Sequence, residues 1–335
     1  MSTVLVTGGA GYVGAVLVPK LLARGHRVRV LDNYTYGRDA LAAFRGAEFL
    51  QEIAGDIRNR ELVRSSITNV DAVIHLACIS NDPSFELDPE LGRSINFDCF
   101  APLVKDAKRA GVSRFVYVSS SSVYGLSKSA MVTESDPLNP LTDYSRYKAL
   151  CEPVVIAEQA KDFTTVVVRP ATVCGCSPRM RFDLSVNILT NYAVTRRKIL
   201  VFGGAQTRPN IHIEDITELY ADLLDVRADR IAGETFNVGF QNRSIADLAE
   251  IVRAVVSAEF LQGAPIEIES TPSDDQRSYR VDSGKIARVL GFIPRHTIED
   301  AVRDICHALR VGRYSNTFEE PRYYNVNFMK HVAVV

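Results

Sequence analysis

Apolar residues along this chain fall into short runs, separated by turn residues and by longer stretches of helix-forming composition. The runs Val4-Leu5-Val6, 26–31, 49–54, 71–76, 114–118 and 163–170 are each of strand length. The run 71–76 in particular fits a buried strand. Between them, the stretches 15–22, 89–110 and 145–160 read as helices, the last on its Ala, Leu, Glu and Lys content. Strand and helix alternate through Pro170, where the proline ends the sixth strand. This order predicts an α/β fold built on a doubly wound parallel sheet. Beyond Pro170 the pattern loosens. Residues 177–181 are polar and basic, 183–196 are helical, 199–202 make a short strand before Gly203-Gly204, and 234–238 make another. A helix over 245–256, a strand over 265–268 and helices around 283–290 and 298–309 complete the less regular half.

The first strand runs into Thr7-Gly8-Gly9-Ala10-Gly11-Tyr12-Val13-Gly14, with glycines at 8, 11 and 14. Glycine permits a tight turn, lets backbone N–H groups approach a pyrophosphate, and allows the next helix to pack on the sheet. No Gly-Lys-Ser/Thr follows, which argues against a nucleoside-triphosphate loop. The second strand ends at Asp32-Asn33, where a carboxylate would accept hydrogen bonds from ribose hydroxyls and repel a 2′-phosphate. NAD is therefore favoured over NADP, with Arg38 nearby leaving NADP open. The expected layout is a dinucleotide-binding domain over 1–172 with a later contribution from about 211–240, and a smaller substrate-binding α/β lobe over 173–312. A tail over 313–335, rich in Tyr, Asn and Phe, has no readable period.

Charge and cysteine content narrow the partners. The 335 residues carry 39 basic against 40 acidic side chains without a block of one sign, so neither nucleic acid nor an anionic membrane surface is suggested. The first residues enter a strand directly, so no secretory leader is expected, and no apolar run is long enough to span a bilayer. Six scattered cysteines suit reduced thiols in a cytoplasmic protein. Cys174-Gly175-Cys176 lacks a second Cys or His pair at zinc spacing, so no metal is expected.

The candidate chemistry lies in Ser119-Ser120-Ser121-Ser122-Val123-Tyr124-Gly125 and in Tyr144-Ser145-Arg146-Tyr147-Lys148. The serines follow an apolar strand, at the sheet edge where ligands of open α/β folds bind. On a helix, Tyr144 and Lys148 project from one face. A unit charge about 4 Å from the phenol, at an effective dielectric near 20, contributes roughly 4 kcal/mol. That is about three pKa units, so the spacing predicts a phenol acidified toward neutrality by Lys148 and able to act as a general base. Other polar positions have two readings. His75, at the end of the fourth strand, is either packed between strands or an acid-base group, and the first is preferred. Asn96 is either exposed or fixed by a hydrogen bond near the nicotinamide end.

Taken together, the glycine turn, Asp32, Gly55-Asp56, His75-Leu76-Ala77, Asn96, Ser120, Tyr144-x-x-x-Lys148 and Arg169-Pro170 resemble the extended short-chain dehydrogenase/reductases. Within them the pattern is similar to the NAD-dependent nucleotide-sugar epimerase/dehydratase family, over the chain from Gly8 to about Leu309. The resemblance implies a Rossmann fold with NAD held by Gly8, Gly11, Tyr12, Val13, Gly14, Asp32, Asn33, Asp56 and Ile57. It further implies contacts from Leu76, Ala77, Ser80, Asn96, Pro170, Tyr144 and Lys148. Ser120 would complete a catalytic triad with Tyr144 and Lys148. Ser120, Ser121, Thr172, Asn187, Phe202, Arg208 and Arg277 would face a nucleotide-diphosphate sugar, the two arginines on its diphosphate and Phe202 on its base. A homodimer through the helices near 96–110 and 145–160 is implied as well.

Two departures shape the expected reaction. The family's 4,6-dehydratases carry an acidic pair directly after the triad Ser/Thr, where this chain has Ser121 and Ser122. Serine hydroxyls do not supply an acid and a base for that elimination, so dehydration is disfavoured. Arg208-Pro209-Asn210-Ile211-His212 stands where relatives have Arg-Asp and an aromatic residue, which bears on substrate geometry. The segment 171–181 looks like a branch that includes enzymes acting at C4 of nucleotide-linked heptoses. The expected function is C4 oxidation of a nucleotide-linked hexose or heptose, as a 4-epimerase or as a C4 dehydrogenase or 4-ketoreductase that releases its cofactor. A non-catalytic dinucleotide sensor is the reading from another class.

Overall fold

The computed structural model describes residues 1–127, 129–273 and 278–331. Its centre is a sheet assembled from the apolar runs. The first half contributes β1 (Thr3–Thr7), α1 (Gly14–Ala23), β2 (Arg27–Asp32), β3 (Leu50–Ala54), α2 (Arg60–Ile67) and β4 (Ala72–His75). Short helices α3 (Asp82–Phe85) and α4 (Pro89–Arg93) lead through a π-turn at Ser94–Asp98 into α5 (Phe100–Arg109). The single helix expected over 89–110 is thus interrupted where Asn96 turns inward. Next come β5 (Arg114–Val118), α6 (Asp143–Ala157) and β6 (Thr164–Pro170).

The remaining elements are β7 (Thr172–Cys174), α7 (Ser185–Arg196), β8 (Lys198–Phe202), β9 (Thr207–His212), α8 (Ile213–Asp225), β10 (Glu234–Val238) and β11 (Gln241–Ser244). They are followed by α9 (Ile245–Val255), β12 (Glu267–Thr271), α10 (Gly284–Leu290), α11 (Ile298–Arg310) and α12 (Asn325–His331). The large sheet has the order β10-β6-β5-β4-β1-β2-β3, with every pairing parallel. Strand order reverses between β1 and β4, and the crevice beyond their carboxyl ends is where an open α/β sheet takes its ligand.

Side chains alternate across each strand, so consecutive residues enter different cores. Val4, Val6, Val28, Val30, Ile74 and Val116 face Leu17 and Leu21 of α1 and Leu219 and Leu223 of α8. Leu5, Val73, Phe115, Tyr117 and Val167 face Phe100 and Val104 of α5 and Val155 of α6. Both faces of β1, β4, β5 and β6 are covered, which is why those runs are largely apolar. A third core joins α7, α9 and α11 through Val186, Leu189, Val252 and Val302, beside the two-stranded sheet β12-β8. A three-stranded sheet β11-β9-β7 takes its strands from segments interleaved along the chain with those of the large sheet and this lobe. β10 returns to pair with β6, placing residues after 211 back in the main sheet. Among the described residues, no helix is long and apolar enough to cross a membrane.

Candidate active site

The glycine turn is built for close backbone approach. Gly8 has φ +74°, and a Cβ there would stand 2.7 Å from the Ala77 nitrogen. A Cβ on Gly14, the first residue of α1, would meet the Gly8 oxygen at 2.6 Å. At the end of β2, Asp32 accepts the backbone N–H groups of Ala10 at 2.9 Å and Tyr34 at 2.8 Å. Burial raises its carboxyl above the ordinary range, and those two bonds oppose the rise. Asp56 shows the reverse balance: burial works to raise it, but hydrogen bonds from the Arg58 side chain and backbone hold it low.

A cavity of about 700 Å³ begins at this turn. It brings together Gly8, Gly11, Tyr12, Val13, Gly14, Asp32, Asn33, Asp56, Ile57, Leu76, Ala77, Ser80 and Pro170 with Ser120, Ser121, Tyr144, Lys148, Thr172, Phe202 and Arg208. A cradle that Cβ atoms would fill, ending at an anchored carboxylate, fits the diphosphate and ribose of a dinucleotide.

Deeper in the cavity, the serine run follows β5. Ser120 caps the single turn Ser121–Tyr124, its Oγ accepting the Ser122 N–H at 3.1 Å, and its hydroxyl acts on the Tyr144 phenol from the same wall, lowering the phenol's pKa. Helix α6 starts one residue before Tyr144, under a reciprocal cap between Thr142 and Ser145. The helix therefore presents Tyr144 and, one turn on, Lys148 to the same wall. Behind them Glu152 of α6 accepts Ser119 Oγ at 2.6 Å and pairs with Arg169 of β6 at 2.5 Å. Arg169 also donates to the Tyr124 hydroxyl at 2.7 Å, so the serine run, α6 and β6 are tied through one buried network.

The electrostatics correct one expectation. Burial pushes the Tyr144 phenol well above its ordinary value, Cys78 and Asp82 add to the rise, and Arg181 and the Ser120 hydrogen bond pull it down. Lys148 is not among the main contributors to this balance; the residue is only 4 % exposed and its ammonium donates to the Val118 carbonyl at 2.8 Å. The Tyr117 ring centroid lies 5.3 Å from the same ammonium. His75 is the packed residue that was preferred: its Nδ1 lies 2.8 Å from Thr7 Oγ1, and burial lowers its pKa to about 3.

Two expected contacts fall elsewhere. Asn96 is buried, not exposed, and both ends of its amide are taken by the backbone of Ile79, at 2.8 and 3.0 Å. It shapes the loop after β4 and does not line the cavity. Asn187 is likewise consumed, donating to Tyr12 Oη and the Arg181 carbonyl and accepting from Gly175 N–H. It is a pin between the turn and α7 instead of a sugar contact. Arg277 lies outside the described residues.

Other cavity residues carried no signal in the one-dimensional reading. Asp82 accepts from Thr142 Oγ1 beside Tyr144. The basic stretch after β7 points inward: Arg181 forks onto Asp183 at 2.8 and 3.0 Å, and Arg179 also lines the wall. From the tail, Asn325 donates to Ser80 Oγ at 2.9 Å, Phe328 packs on Tyr36 with centroids 5.2 Å apart, and Met329 borders the cavity. The segment 313–331, unreadable by period, therefore forms part of the site.

Comparison with known proteins agrees with this geometry. A model described as the NAD dependent epimerase/dehydratase family matches residues 4–239. Low-salt glycan biosynthesis protein Agl12 of Haloferax volcanii is 31% identical, over 89% of this chain and 96% of its own. A UDP-glucose 4-epimerase of Lactobacillus helveticus is 29% identical, over 89% of this chain and 94% of its own. Among solved structures, the dTDP-glucose 4,6-dehydratase DesIV of Streptomyces venezuelae, with NAD bound, superposes with a TM-score of 0.81 at 27% identity, covering 96% and 99% of the two chains.

Proposed function

The chain belongs to the NAD-dependent epimerase/dehydratase family, and from that premise we propose that it epimerises C4 of a nucleotide-linked hexose or heptose through a 4-keto sugar. The observation that carries this reading is the convergence of Ser120, Tyr144 and Lys148 in one cavity with the glycine cradle, while Ser121 and Ser122 stand beside them in place of carboxylates. When bound, NAD supplies the hydride acceptor and, in its oxidised form, a positive ring charge.

The chain's own groups handle the proton. Tyr144 Oη takes the proton of the C4 hydroxyl as the carbon is oxidised, and returns it after the keto sugar has turned. Ser120, beside the phenol in the cavity, holds the sugar oxygen in line. Lys148 keeps a fixed buried cation on this wall through the Val118 carbonyl. Burial in the protein alone raises the phenol's pKa, and a positive charge brought to this wall would oppose that rise. Phe202, 58 % exposed at the cavity mouth, offers a face for a nucleobase, and Arg208 on β9 offers a cation for the sugar nucleotide's diphosphate. The same reading includes an isologous homodimer through α5 and α6, which light scattering at micromolar concentration tests.

The test supplies a panel of UDP-, dTDP-, GDP-, ADP- and CDP-sugars. Epimerisation gives a transient, protein-bound absorbance in the NADH band and a C4 epimer of unchanged mass. Free NADH accumulating over many turnovers would establish a C4 dehydrogenase instead, and a product lighter by one water would establish a 4,6-dehydratase, the activity named for DesIV. Tyr144→Phe should lower turnover by about 10²–10⁴-fold; full activity in that variant would remove the phenol from the chemistry.

A further inference from the structure

The loop between β7 and α7 is fastened to the glycine turn. Ser177 Oγ donates to the Tyr12 carbonyl at 2.7 Å and accepts the Arg179 N–H at 3.2 Å. Arg179 then runs along the cavity wall. Its guanidinium carbon sits 3.8 Å from the ring centroid of Tyr36, in the loop after Asp32, and its Nη2 donates to Asn325 Oδ1 at 2.5 Å. The residue is only 7 % exposed, yet its Nε is buried with no hydrogen-bond partner among the described residues.

Among the described residues no carboxylate pairs with it directly, and Asp183 and Asp32 act on it only through space. Arg181 takes both oxygens of Asp183. Asp32 feels Arg179 through space, but its oxygens are occupied by the backbone N–H groups of Ala10 and Tyr34. Burial, with Arg181 adding, lowers the Arg179 pKa to about 10, so the guanidinium stays protonated at neutral pH at an electrostatic cost. A buried planar cation with unused donors, in a cavity shared with a glycine turn, calls for phosphate oxygens.

We propose that Arg179, seated by Tyr36 and Asn325, is a side-chain anchor for the diphosphate of the dinucleotide, acting beside the backbone N–H groups of the glycine turn. The tail thereby enters cofactor binding, with Asn325 as a positioning residue. The inference rests on the proposed function only in that the cavity holds a dinucleotide. It is read from binding, so it stands or falls apart from whether the reaction is epimerisation.

The experiment is calorimetric titration of the full chain with adenosine, ADP, NAD, NADP and UDP, for wild type, Arg179→Met, Arg179→Lys and Asn325→Ala. Arg179→Met keeps the apolar stem and loses the fork. It should weaken ADP and NAD by about 10–100-fold, the range for losing a charge-assisted hydrogen bond, and change adenosine by less than about twofold. Arg179→Lys should recover part of that loss. Asn325→Ala, which frees the guanidinium without removing it, should weaken ADP and NAD by roughly threefold or more and spare adenosine. If Arg179→Met does not fold, Asn325→Ala and Arg179→Lys read the same contrast. Equal losses for adenosine and ADP would make Arg179 a structural residue. A loss confined to UDP would assign it to the sugar nucleotide, and a loss confined to NADP to a 2′-phosphate. Any of these three, or no change, overturns the proposal.

Discussion

His75 at the end of β4 lies beneath the catalytic wall, and it makes the fold acid-sensitive in a way that can be isolated. The imidazole is 3 % exposed, bonded to Thr7, stacked on Tyr117 and packed near Phe100, with Lys148 as the charge that faces it. Burial and then Lys148 lower its pKa to about 3, against about 6.5 in an unfolded chain. Between those values the unfolded chain binds a proton that the folded protein refuses. Stability from this residue is therefore complete above about pH 6.5 and falls as the pH drops toward 3. The limiting slope is about 1.4 kcal/mol per pH unit, so lowering the pH from about 7.5 to about 5 should remove roughly 2 kcal/mol. Urea unfolding followed by circular dichroism across that range measures it. His75→Leu sets the comparison: the variant starts lower because Thr7 loses its partner, but its stability should be flatter with pH by that amount. His26, also lowered by burial, contributes equally to both proteins. Asp106, held at about 2 by Arg60, acts only below its unfolded value near 4. Identical slopes for wild type and His75→Leu would refute the argument.

Further outcomes follow from the same contacts. Arg169→Met leaves Glu152 charged in a buried network and should cost about 3–5 kcal/mol in urea unfolding, whereas adding Glu152→Leu should restore much of it. Gly14→Ala places a Cβ 2.6 Å from the Gly8 oxygen and should destabilise by about 2 kcal/mol while abolishing NAD binding in calorimetry. Phe202→Ser changes an exposed ring and should leave stability within about 0.5 kcal/mol, yet weaken the preferred sugar nucleotide by roughly 2–10-fold if the ring stacks on its base. An unaltered affinity would take Phe202 out of the site.

The parallel sheet, its cradle and the convergence of the serine run with Tyr144 and Lys148 were legible because their causes are local. Three glycines at fixed spacing create a turn that no other residue type allows, and an apolar run of five buried on both faces is a strand wherever it lies. Asn96 and Asn187 were not legible, since an amide in an apolar segment does not say whether it will meet ligand or backbone. That choice was made by Ile79 in one case and by Tyr12, Gly175 and Arg181 in the other. Lys148 was placed on the correct wall by helical spacing, but the Val118 carbonyl that captures its ammonium belongs to a strand 30 residues away. Arg179 meeting Asn325 across 146 residues is the extreme case. Backbone preference and burial periodicity reside in the residues that express them, so the chain alone determined strands, turns and the order of its motifs. The partner of a polar group is set by which distant segments the folded cores bring within 3 Å of it, and so the charge balance of the cavity, and the tail's place in it, were decided only by the tertiary structure.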